Sequence, residues 1–156
     1  MTSHTTPTAL AASFALALFA ALAAPLSALA ADPVYSNWRG LAIAGTDPVA
    51  YFVEGRAVEG DADHALEYMG ATWHFASADN KAAFERDPER YVPEYGGYCA
   101  WAVSQGYTAR IDPEAFTIVG DKLYLNYDQN VMKKWLGDRD AFIAEADANW
   151  PGLRDG

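Results

Sequence analysis

From Ala9 to Ala24 every position is apolar except Ser13. After Pro25 the apolar residues come in short groups, spaced either in alternation or at helical intervals. Gly45-Thr46-Asp47-Pro48 reads as a turn, with a short strand at 49–53, a reversal at Glu54-Gly55-Arg56 and a return over 57–60. His64 to Tyr68 and Ala71 to Phe75 form a hairpin about Met69-Gly70, where Gly70 supplies a positive φ. Alternation sets Ala71, Trp73 and Phe75 on one face and Thr72 and His74 on the other. Ser77 caps a helix over 78–86 with Phe84 and Ala83 on its buried side, and Asp87-Pro88 ends it. An irregular aromatic link follows at 91–95. Gly96-Gly97 then opens a helix over 98–105, stopped by Gly106. Phe116 to Val119 and Lys122 to Tyr127 make the clearest hairpin, about Gly120-Asp121. Asp128 caps a helix through Leu136, ended by Gly137. Asp138 caps a last helix carrying Phe142, Ile143, Ala146 and Trp150, which Pro151 closes.

Short hairpins interleaved with three or four short helices define an α+β fold, expected as one compact domain with no internal repeat. Residues 1–30 contain no Asp, Glu, Lys or Arg, and Ala28-Leu29-Ala30 places small residues where a signal peptidase cuts. The expected organisation is a signal peptide at 1–30, a lead-in at 31–44, the domain at 45–150 and a tail at 151–156. Export to the periplasm or the exterior follows, with no stable membrane insertion after cleavage.

Charge narrows the partners. Eleven Lys and Arg stand against 21 Asp and Glu among 156 residues, a net charge of −10, all of it beyond residue 30. Such a surface repels phosphate backbones, so nucleic acid is excluded and a metal ion or an envelope protein partner remains. The acidic stretch Asp61, Asp63 and Glu67 has no EF-hand spacing and reads as a solvated rim.

The single Cys excludes an intrachain disulfide and multi-Cys zinc sites. Cys99 stands two residues past Gly-Gly at the start of a predicted helix, where the dipole and free N–H groups favour thiolate. The opposing reading is a small buried hydrophobe among aromatics. Pairing across Met69-Gly70 brings His64 and His74 together. With Cys99 and Met69, that donor set suits copper better than magnesium or calcium.

Four ordered segments carry a likeness. They are Gly45-Thr46-Asp47-Pro48-Val49-Ala50-Tyr51-Phe52, the stretch Tyr68 to Ser77 around Trp73-His74-Phe75, the stretch Phe84 to Tyr91, and Tyr95-Gly96-Gly97-Tyr98-Cys99-Ala100. Over about Gly45 to Trp150 the chain resembles the YHS-domain proteins, most closely the small exported bacterial members. The resemblance implies a compact α+β domain whose relatives include metal-handling modules, some attached to copper-transporting ATPases. Where those modules carry thiolates, this chain has Ala50, Ala76 and Asp79 or Asn80, so only Cys99 remains as a soft ligand.

The leading expectation is a non-enzymatic binding module handling copper. Cys99 is its anchor, His74 is second, His64 and Met69 are weaker donors, and Tyr95, Tyr98 and Trp101 form an aromatic surround for the ligand. Two alternatives stand beside it. One is thiol chemistry at Cys99, where any disulfide must be intermolecular. The other is an envelope protein that binds an organic ligand or protein partner, with Cys99 purely structural.

Overall fold

The computed structural model describes residues 1–2 and 29–156, so the predicted leader lies almost wholly outside the described residues. The fold is α+β and is built from two copies of one unit. In the first, helix α1 (Ala50–Val53) leads into strands β1 (Asp61–Tyr68) and β2 (Ala71–Phe75), and helix α2 (Ala78–Arg86) follows. A short helix α3 (Pro88–Tyr91) and a 3₁₀ turn (Glu94–Gly97) connect to the second unit. There helix α4 (Ala100–Ser104), strands β3 (Asp112–Val119) and β4 (Lys122–Asn126) and helix α5 (Gln129–Gly137) repeat the order, and helix α6 (Arg139–Asp155) closes the chain.

The repeat extends to detail. Both hairpins pair a strand of 8 residues with one of 5, and a helix of 9 follows each. Both turn on two left-handed residues, Met69 and Gly70 in one and Gly120 and Asp121 in the other, as tight two-residue turns require. The register slips at equivalent places, between Asp61 and Ala65 and between Asp112 and Phe116. Ser77 Oγ caps α2 by accepting from the Asn80 N–H, and Asp128 caps α5 by accepting from the Val131 N–H. Each of these helices presses one large aromatic onto its hairpin. Phe84 lies 5.2 Å from both Trp73 and Phe75, and Trp135 lies 5.2 Å from Tyr124. The expectation of no internal repeat is therefore corrected. The two units share a pattern of alternation, turn and cap with few identical residues.

Three local expectations also change. Within 49–53 the chain is helical over Ala50–Val53, because Asp47 Oδ1 accepts from the N–H groups of Val49 and Ala50 and so caps a helical turn there. Pro151 does not close the last helix, which runs on to Asp155 with Pro151 inside it. The carbonyl that loses its partner belongs to Asp147, an exposed residue, so water can serve it. Asp138 precedes α6 but makes no side-chain capping bond.

The lead-in is part of the packing. Val34, Ala42 and Ile43 are buried, and Leu41 bridges Thr72 in parallel, which extends the first hairpin by one short edge. Gly96 explains how close that segment comes. Its φ is +61°, and a Cβ there would sit 2.0 Å from the Pro33 carbonyl oxygen. Among the described residues no helix is long and apolar enough to cross a membrane.

Candidate binding site

The repeat gives Cys99 a counterpart, Asp47. The Asp47 N–H donates to the Val58 carbonyl at 2.8 Å, and the Cys99 N–H donates to the equivalent Ala109 carbonyl at 3.1 Å. Asp47 is fully buried and its carboxylate is saturated. Oδ1 accepts from Val49 and Ala50, while Oδ2 accepts from the Ala76 N–H at 2.8 Å and from Asn80 Nδ2 at 2.6 Å. In the second unit the backbone N–H groups of Ala102, Tyr127 and Trp101 lie close enough to the Cys99 sulfur to favour its charged form, while the Trp101 N–H donates to Asn126 Oδ1 at 3.2 Å. The same backbone frame thus surrounds a carboxylate that it binds in one unit and a thiol in the other.

The fourth partner is missing in the second unit. Val131 stands where the first unit places Asn80, and a hollow of about 240 Å³ opens beside the sulfur. Cys99, Trp101, Ala102, Tyr107, Ala109, Tyr127 and Val131 line it. Trp101 and Tyr107 meet edge to face at 6.4 Å, and Tyr107 and Tyr127 stay substantially exposed at the mouth. On the floor, Cys99 is 0% exposed, and its Sγ lies 3.7 Å from Asn126 Oδ1, which also accepts from the Trp101 N–H. The wall is apolar and aromatic with one soft sulfur.

Burial pushes the Cys99 thiol up, and the Asp128 charge adds to the rise. The N–H groups of Ala102, Tyr127 and Trp101 pull the other way without overcoming it. The thiolate expected from the helix start is therefore not favoured. The sulfur gains three donors but loses water, and the loss dominates. At neutral pH Cys99 is a protonated thiol that can donate weakly to Asn126.

The other expected donors lie elsewhere. The register sets Ala65 opposite His74, with His64 in the irregular stretch that follows Asp61, so the two imidazoles are not cross-strand partners. Half-buried His74 lines a separate polar hollow with Arg39, Glu59 and Asp61. Met69 is 43% exposed at the hairpin turn and lines a third hollow with Tyr95 and Trp150. Neither His64, His74 nor Met69 lines the Cys99 hollow. Among the described residues no group of three or more His, Cys, Asp or Glu is arranged to hold a metal ion.

Of the expected aromatic surround, only Trp101 faces the Cys99 hollow. Tyr95 is buried in the second core cluster, where its hydroxyl donates to Asp147 at 2.9 Å. Tyr98 packs between Tyr35 and Trp150. Sequence reasoning missed Tyr107, Ala109, Tyr127 and Val131, which arrive from three separate segments. The signal that could have found them was the repeat, since Ala102, Tyr127 and Val131 match Ala50, Ala76 and Asn80 of the first unit.

The fold is thus a twin-hairpin α+β protein with one cradle closed by Asp47 and one open beside Cys99. Residues 49–95 match the family model of the YHS domain. The matched segment covers the first unit from α1 to α2 and stops before Cys99 and the second hairpin. No curated protein and no solved structure matches the chain.

Proposed function

We propose that this protein is a non-enzymatic binding module that takes a small molecule with a flat apolar body into the hollow beside Cys99. The carrying observation is the contrast between the two cradles. The first is filled by Asp47 and Asn80 and has no room for a guest. The second has the same backbone frame, yet it leaves space walled by Trp101, Tyr107, Tyr127 and Val131. Cys99 serves as a buried, polarisable floor. Its raised pKa and full burial speak against nucleophilic or redox use. The leader-like residues 1–30 and the net charge of −10 support export, so we place the activity in the periplasm or outside the cell.

Calorimetric titration of the full chain with 2-naphthylmethanol tests this reading. Saturable binding is expected, and Ala109→Phe, which fills the hollow, is expected to abolish it. Absence of binding, or binding indifferent to Ala109→Phe, defeats the proposal.

Copper handling is the second reading, favoured by the YHS match and by the free thiol. It asks one sulfur to hold Cu(I) with no imidazole or thioether lining the same hollow, although copper sites combine several such donors. Competition of the full chain against a colorimetric Cu(I) chelator decides the matter. Copper retained by the parent and lost in Cys99→Ser would replace the first reading.

A further inference from the structure

Two cations stand against the walls of the Cys99 hollow in an otherwise acidic protein. The Lys134 ammonium lies 4.2 Å from the Trp101 ring centroid. The Arg110 guanidinium lies 4.2 Å from that of Tyr127 and donates to the Tyr127 hydroxyl at 2.9 Å. Both rings line the hollow. Neither cation has a carboxylate within ion-pair distance among the described residues, a condition shared with Arg39, Lys81, Arg86, Arg90 and Lys133, whereas Arg56, Lys122, Arg139 and Arg154 each have a partner. What sets Arg110 and Lys134 apart is their place, since each stacks on a ring that lines the hollow and so puts positive charge beside it in an otherwise acidic protein.

Two buried donors nearby also lack acceptors. Trp101 Nε1 and Asn126 Nδ2 are buried and unpartnered. Asn126 is 0% exposed, and its oxygen is already committed to the Trp101 N–H and the Cys99 thiol, which fixes the amide orientation. A buried donor without a partner is costly, so an acceptor that reaches Trp101 Nε1, on a side chain that lines the hollow, is favoured. Asp128, whose charge reaches Cys99, is occupied in capping α5 through the Val131 N–H at 2.8 Å.

Resting on the reading of the hollow as a binding site, we propose that its ligand is a small organic anion, a flat apolar body bearing a carboxylate. The apolar body lies between Trp101, Tyr107 and Tyr127, and the carboxylate sits at the rim between Arg110 and Lys134. The cations stack on the two rings, which keeps them placed for the anion.

The test is calorimetric titration of the full chain with three probes of one shape: naphthalene-2-carboxylate, 2-naphthylmethanol and 2-naphthylmethylammonium. The carboxylate is expected to bind about tenfold more tightly than the alcohol, and the ammonium more weakly than either. The double variant Arg110→Gln, Lys134→Gln changes two exposed side chains. It is expected to bring the carboxylate down to the affinity of the alcohol and to leave the alcohol unchanged. Val131→Phe is expected to remove binding of all three. Equal affinity for carboxylate and alcohol, or a preference that survives the double variant, overturns the anion assignment while the hollow stands as a site. Binding of none of the three overturns both, and binding that persists in Val131→Phe shows that the probes sit elsewhere and overturns both as well.

Discussion

Asp47 and Cys99 occupy one backbone position in two copies of a unit, and their replacement should cost very different amounts. Removing the Asp47 carboxylate strands the N–H groups of Val49, Ala50 and Ala76 and the amide of Asn80, all of which it now satisfies. The N–H groups of Val49 and Ala50 are buried, and each stranded buried donor costs about 1–3 kcal/mol, so Asp47→Ala should lose about 2–6 kcal/mol in urea denaturation. Cys99 accepts from the same frame only as a weakly polar sulfur at the edge of an existing hollow. Deleting one heavy atom there should cost about 1 kcal/mol. A Cys99→Ala loss as large as that of Asp47→Ala would show that the thiol holds the second unit together as the carboxylate holds the first. The thiol should also resist iodoacetamide at pH 7 in the folded chain, because its pKa is raised and it is 0% exposed. Rapid native alkylation would contradict that burial.

At the scale of elements, the connection between the units depends on Gly96. It holds a left-handed backbone directly beneath the Pro33 carbonyl, and its own carbonyl accepts from the Tyr35 N–H at 2.9 Å. Gly96→Ala must push the lead-in away or distort the 3₁₀ turn. It is expected to lower the urea midpoint by the equivalent of about 2 kcal/mol or more, and to speed hydrogen exchange at Tyr35 and Ile43 first. Both hairpins and the capped helices α2 and α5 were legible in the sequence, because alternation, turn residues and the caps Ser77 and Asp128 all act locally. Residues 49–53 were not, since a short apolar run has no decisive period and the Asp47 cap that makes it helical was read only as a turn. Nor was the packing of the lead-in, which has no periodicity yet buries Val34 and Ile43 against distant strands. The site was half legible. Cys99 and Trp101 stand together in sequence, but Tyr107, Tyr127 and Val131 reach them only once the second unit folds. The repeat hid because its two copies keep the same lengths and turns while exchanging Asp47 for Cys99, Asn80 for Val131 and Phe84 for Trp135.

Across the whole molecule, two groups of long-range contacts set how stability depends on conditions. Burial raises the pKa values of Tyr51, Tyr95 and Tyr98 and pushes Tyr124 up to about 12. The unfolded chain releases these protons from about pH 10 while the folded chain keeps them, so the unfolded state binds fewer protons there. Their contribution is therefore complete below about pH 10 and is lost as pH rises through the folded values. The urea midpoint should fall steeply above that pH, and Tyr124→Phe should flatten the fall; a flat profile to pH 12 would refute the account. The second contact joins the start of the packed chain to its end. The Ala31 N–H donates to the Leu153 carbonyl at 2.8 Å, in the last turn of α6. If the leader is cut after Ala30, as its small residues suggest, this amide becomes an ammonium placed at the negative end of a helix of 17 residues. A cation there is worth about 0.3–1 kcal/mol, so cleavage would tighten the closure of the fold as well as release the chain. On that reading, mass spectrometry of the protein recovered from its native host should find Ala31 as its first residue. The chain beginning at Ala31 should lose about 0.3–1 kcal/mol when that amine is acetylated, because the charge disappears while one N–H remains to meet Leu153. Equal stability of the free and acetylated forms would mean that the hydrogen bond alone makes the junction, and that the cut site was not placed for the charge it creates.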